Sequence, residues 1–181
     1  MTDLKAEQKE IRKQSGLAFL LCAAISVACV LFLPKLITFP SEMAGRLAFA
    51  IQMSFVHFAI VLLAVRMVSS GRYRSAADIG GAAKAPPSPA LAIKVAFLQN
   101  TLEQAFLGVG AQLLLASVTG GRWLGLLVAS PMLFAVGRWS FYRCYRGGAG
   151  ARAFGMATTA LASLICYLVA LAMLLGRLFG G

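Results

Sequence analysis

The stretch LAIKVAFLQNTLEQAFLGVGAQLLLA, residues 91–116, decides how the chain is read. It is apolar and long enough to cross a bilayer, whose hydrocarbon core of about 30 Å takes roughly 20 apolar residues at about 1.5 Å rise each. Yet its first half carries Lys94, Gln99, Asn100, Glu103 and Gln104. An ionised side chain near mid-helix costs on the order of 2.5–3.5 kcal/mol on insertion scales, so that half must face protein, water or headgroups. Asn100, Glu103 and Gln104 stand at i, i+3 and i+4 and share a helical face, which Gly108, Ala111 and Gln112 extend by one or two turns. Small residues there let a neighbouring helix approach, while amides and a carboxylate bond across the contact. A helix-to-helix seam and a ligand site both fit such a stripe.

The rest of the chain matches a membrane reading. Of 181 residues 60% are hydrophobic and 13% charged, and the mean hydropathy is +0.81; a soluble domain is about a quarter charged. The acids are few: Asp3, Glu7, Glu10, Glu42, Asp78 and Glu103. This composition excludes a secreted disulfide scaffold and a disordered tail. Four further runs have spanning length, about Leu17–Ile37, Leu47–Val68, Trp123–Tyr145 and Ala153–Leu178, and with Leu91–Val118 they make five. Gly120-Gly121 alone separates the third run from the fourth, which suits a tight helical hairpin.

The basic residues orient these spans. Lys5, Lys9, Arg12 and Lys13 precede the first; Arg66, Arg72, Arg74, Lys84 and Lys94 surround the second-to-third connection; Arg138, Arg143, Arg146 and Arg152 surround the fourth-to-fifth. The opposite side holds only Lys35, Arg46, Arg122 and Arg177. Cytoplasmic loops of a bacterial-type inner membrane collect positive charge, so the N-terminus is expected inside and the C-terminus outside. The net charge of +11 is therefore read as cations flanking spans near anionic lipid, and no nucleic-acid partner is expected. A cleaved leader competes for the first run. That run, however, continues past Cys29 through Leu33 without a small-x-small site and a polar start after it.

Two more constellations carry chemistry. Arg138, Tyr142 and Tyr145 occupy one broad face at the end of the fourth run, Phe141 stands among them, and Arg152 follows the turn Gly147-Gly148-Ala149-Gly150. Converging cationic and hydroxyl donors suit an anionic ligand, while Arg and Tyr also serve as ordinary interfacial anchors. His57, flanked by Phe55, Val56 and Phe58, reads as a helix-to-helix hydrogen-bonding residue, with a proton relay as the alternative. Cys22, Cys29, Cys144 and Cys166 form no CxxC pair, and no metal site is expected.

The Asn100-x-x-Glu103 core after a basic residue resembles the second-helix signature of the MAPEG family, the membrane-associated proteins in eicosanoid and glutathione metabolism. Arg138, Tyr145 and Arg152 are spaced similarly to residues the family places at the end of its third helix and the start of its fourth. The loop GRYRSAADIGGAAKAPPSPAL resembles its long polar connection. The resemblance covers about residues 46–179. It implies an all-α integral membrane protein: a basic tail over 1–16, an additional transmembrane helix over 17–37, and a MAPEG-like four-helix bundle with helices at about 47–68, 91–118, 123–145 and 153–178.

By resemblance the function is that of a glutathione-dependent transferase or peroxidase acting on a lipophilic small molecule, in a homotrimer embedded in lipid. Arg152 would stabilise the glutathione thiolate. Asn100 and Glu103 would bind the tripeptide, Glu103 its amino group, and Arg138 and Tyr145 would hold the peptide and its carboxylates. Phe141 stands where the family carries a ligand tyrosine, with Tyr142 beside it as the nearest hydroxyl. Ala96 replaces the family's arginine four residues before the Asn, and Gln104 its tyrosine after the Glu. The alternative is a non-catalytic protein of the same fold that binds lipid or a protein partner. A transporter is disfavoured, because neither internal repeats nor matched broken helices occur.

Overall fold

A computed structural model describes residues 4–179. Helices occupy most of this length: α1 Leu4–Phe32, α2 Met43–Met53, α3 Phe55–Tyr73, α4 Pro89–Val118, α5 Gly125–Arg143 and α6 Gly148–Phe179. With α2 and α3 taken as one bent rod, five helices are long and apolar enough to cross a membrane. The protein is thus an all-helical, multi-pass membrane protein.

The second run is not a single straight helix. Ser54 Oγ lies 2.8 Å from its own Ala50 O and 3.0 Å from Gln112 Oε1, so its one proton serves both acceptors. A serine bonding back to the preceding turn bends a helix, and here the break falls between α2 and α3. Gln112 Nε2 donates onward to Ser130 Oγ at 3.2 Å, tying the bend to α4 and α5 through a buried amide. The described part of the basic tail is helical and continuous with the first span, because α1 runs unbroken from Leu4 to Phe32. At about 1.5 Å per residue it is longer than the hydrocarbon core, and its first turns extend beyond the span.

Helix ends follow their sequence signals. Ser88 caps α4, accepting from Leu91 N at 3.4 Å, with Pro89 at the first helical position. The Asp78 carboxylate fixes that cap, accepting from Ser88 N at 2.8 Å and from Ser88 Oγ at 2.7 Å. These donors, the backbone N–H first, hold the Asp78 carboxyl below its ordinary value. At the other end of α4 the hairpin turns on Gly121, whose φ of +58° suits glycine.

α6 is the hub, packing against α1, α5 and α4, while α3 lies on α4 and α5. Ala18, Cys22 and Ser26 of α1 are buried, one turn apart on a single face, and Phe19, Leu20, Val27 and Phe32 point away from the bundle. α1 is therefore a full member of the bundle's rim. The closest approach is between α5 and α6. A Cβ on Gly155 would fall on Gly137 O and Phe141 N, so only glycine lets these backbones meet. That contact sets the positions of Arg138 and Phe141.

Candidate functional site

Arg138 organises one end of the bundle. It is 1% exposed, with Nη1 donating to Asn100 Oδ1 and Nη2 to Thr159 Oγ1, each at 2.6 Å, and Nη2 also reaching Gly155 O at 3.4 Å. Its guanidinium lies 4.7 Å from the centre of the Phe141 ring. Only Nε has no partner. A cation so placed must be hydrogen-bonded to survive inside a span, and α4 and α6 each supply a polar group for it.

From Phe141 the stacking continues outward. Tyr145 packs edge-on at 5.5 Å between ring centres, and the Arg152 guanidinium covers the Tyr145 ring at 4.7 Å. Cation, ring, ring and cation thus form a column from the buried core to the half-buried start of α6. No hydrogen bond or ion pair engages Arg152 among the described residues, which leaves its five N–H donors for a ligand.

A cavity of about 360 Å³ opens beside this column. Asn100, Tyr145 and Arg152 line one part of its wall, and Ile11, Ala96, Phe141, Ala149, Ala153 and Met156 line the rest. A cation, an amide and a phenol facing an apolar wall suit a ligand that joins an anionic head to an apolar body. Of the residues singled out by sequence, Asn100, Tyr145 and Arg152 come together here. Arg138 lies behind the wall and reaches the cavity through Asn100. Tyr142 turns toward Phe97, its ring centre 4.9 Å away, and does not line the cavity.

Glu103 points elsewhere. It is exposed halfway along α4, where Gln99 Nε2 donates to its Oε1 at 3.3 Å, and exposed Leu102 and Phe106 stand on either side. The polar stripe is therefore split: Gln104, Gly108, Ala111 and Gln112 face the interior, and Glu103 stands on the outer surface of the isolated chain. Small angular offsets decide this, because Glu103 sits about 100° from Gln104 on the helix. His57 is buried against Phe134, ring centres 4.2 Å apart, and its Nδ1 has no partner. His57 is thus packed in the interior, apart from the cavity.

Sequence reasoning missed Thr159, which holds the far side of Arg138, and Ile11, which closes the cavity. Thr159 lies seven residues after Arg152 on the same helical face, a signal hidden by the apolar run around it. Ile11 gives no local signal, because α1 reaches the site through tertiary packing. The same packing brings Glu7 Oε2 to accept from Gly150 N at 2.6 Å, so a carboxylate sits at the positive end of α6. Among the described residues, no group of three or more His, Cys, Asp or Glu is arranged to hold a metal. No protein-family model, curated protein or solved structure matches the chain.

Proposed function

We propose that the protein is a MAPEG-like membrane glutathione transferase or peroxidase that binds glutathione in the cavity and, as a transferase, joins it through its thiol sulfur to a lipophilic electrophile. The observation that carries this is the meeting of Asn100, Tyr145 and an otherwise unengaged Arg152 around one amphipathic cavity. A fixed guanidinium beside a thiol in a water-poor pocket favours the thiolate. The thiol proton leaves to water, the sulfur lone pair forms the new bond to the electrophile, and the leaving group or opened ring takes the electron pair. The apolar wall from Ile11 to Met156 would seat the lipophilic partner. Arg138, bonded to Asn100, would fix that amide's orientation and act as a positioning residue.

Glu103 supports the homotrimer that the resemblance implies. An ionised side chain facing lipid at mid-helix costs on the order of 2.5–3.5 kcal/mol, whereas facing a second subunit it is given partners. In such a trimer Glu103 would reach a glutathione amino group held in a neighbour's cavity. With five spans, thirteen of the seventeen basic residues fall on the side of the N-terminus, which supports a cytoplasmic N-terminus, with the cavity at the cytoplasmic face of a bacterial-type inner membrane.

A second reading is favoured by one feature. Ala96 and Ile11 leave an apolar wall where the family carries an arginine, as a non-catalytic lipid or partner binder would. Calorimetric titration of glutathione into the purified protein separates the two. Saturable binding weakened about tenfold or more by Arg152→Ala supports the enzyme. A folded protein that takes up no glutathione at millimolar concentration supports the binder.

A further inference from the structure

The end of the bundle opposite the N-terminus holds a feature that the cavity does not explain. Three of the four basic residues of that side gather at one turn, and the fourth, Lys35, stands in a turn that packs against it with its ammonium over the Phe32 ring. Arg122 stands in the Gly121–Leu124 turn, against which the Leu33–Lys35 turn packs. Arg46 lies on Gly120, its Nη1 3.0 Å from where a Cβ would stand, and Arg177 Nη2 donates to Val118 O at 2.7 Å. No carboxylate among the described residues pairs with any of the four, and Arg46 Nε is buried without an acceptor. Arg122 is exposed, and its guanidinium lies 5.4 Å from the centre of the Trp123 ring.

Next to Arg122 a groove of about 320 Å³ runs between α1, α5 and α6, lined by Val27, Val30, Leu31, Trp123, Leu126 and Ile165. Val27 and Leu31 are exposed, so the groove faces outward from the bundle into the bilayer. We infer that this groove holds an acyl chain of a phospholipid whose net negative headgroup is bound by Arg122, with Lys35 beside it. Three observations select this occupant. Between Ser26 and Arg122 the lining is apolar, the unpaired cations sit at one end only, and Trp123 marks that end as the depth where headgroups begin. The chain leaves one apolar surrounding for another, so the groove gains little selectivity from it; discrimination comes from headgroup charge, about fivefold per cation at the membrane surface.

The test uses full-length protein carrying Trp139→Phe, which leaves Trp123 as the only tryptophan, reconstituted in phosphatidylcholine with added brominated-chain lipid. Brominated phosphatidylglycerol is expected to quench Trp123 at about twenty-fivefold lower mole fraction than brominated phosphatidylcholine, about fivefold for each of Arg122 and Lys35. Arg122→Gln and Lys35→Gln, both at exposed residues, should each reduce the preference to about fivefold, and the double variant should bring the two lipids to parity. Val30→Phe, which fills the groove, should remove quenching by either lipid while the helical circular dichroism is kept. Equal quenching by the two lipids in the parent protein would overturn the inference. So would shielding of Trp123 from both, the result if a second copy of the chain covered the groove.

Discussion

Replacing Asn100 by Leu removes the acceptor 2.6 Å from Arg138 Nη1 and leaves a guanidinium 1% exposed with one fewer partner. A hydrogen bond to a charged group contributes about 1.5–3 kcal/mol in water-soluble proteins. Inside membranes the measured values fall to about 0.6 on average and about 1.7 at most, because the unfolded helices also find partners. Arg138 has Thr159 and Gly155 on its other arm and Phe141 beneath it, so it is held in place when Asn100 is lost. The expected cost of Asn100→Leu is about 1.5 kcal/mol, near the top of the membrane range, since the cation then lacks an acceptor on Nη1. Arg138→Met removes the same bond but also removes the buried charge. The double variant should then be no worse than the poorer single one, with a coupling of about 1.5 kcal/mol. Unfolding in mixed micelles with rising dodecyl sulfate, followed by far-ultraviolet circular dichroism, measures all four corners of the cycle. Costs that add to within about 0.5 kcal/mol would show that the two residues do not act as a pair, and the positioning role of Arg138 would fail.

Three further outcomes are expected. Gly155→Ala places a methyl group on Gly137 O and Phe141 N and should destabilise by about 2 kcal/mol or more, whereas Gly16→Ala, with nothing within 4 Å, should stabilise by about 0.5–1 kcal/mol; the same unfolding assay reads both. The Asp78 clamp on Ser88 should persist above the ordinary carboxylate range and be lost as pH falls through the lowered value, because a depressed folded-state pKa stabilises only the ionised form; hydrogen exchange at the Ser88 amide should show this, and Asp78→Asn should abolish the pH dependence. Glu7→Gln keeps an acceptor for Gly150 N but removes its charge from the start of α6, and should cost about 1 kcal/mol and speed exchange of that amide.

The spans were legible because hydropathy is local. The run at Leu91–Val118 differs from α4 by two residues at one end, and the Gly120-Gly121 break became the observed hairpin. The bend at Ser54 was not, since it depends on a hydroxyl that bonds to its own helix and to Gln112 across the bundle. The polar stripe shows how far periodicity reaches. It correctly placed Gln104, Gly108, Ala111 and Gln112 on one buried face, but a face defined by i, i+3 and i+4 is broad, and Glu103 at its edge turned outward. Arg138 is legible as a member of the cluster with Tyr145 and Arg152; its burial behind Asn100 follows from the Gly137–Gly155 contact, which no local pattern announces. Ile11 lines the cavity and Glu7 accepts from Gly150 N, both from a segment more than a hundred residues before α6, where sequence shows only the basic start of a helix.

Ultraviolet difference absorbance of the thiolate, recorded while glutathione is titrated into the detergent-purified protein near neutral pH, tests the proposed chemistry most directly. If Arg152 stabilises the thiolate, a saturable band should grow in the wild type and be absent from a folded Arg152→Ala variant. A band of equal size in Arg152→Ala, or none in the wild type at millimolar glutathione, would contradict it.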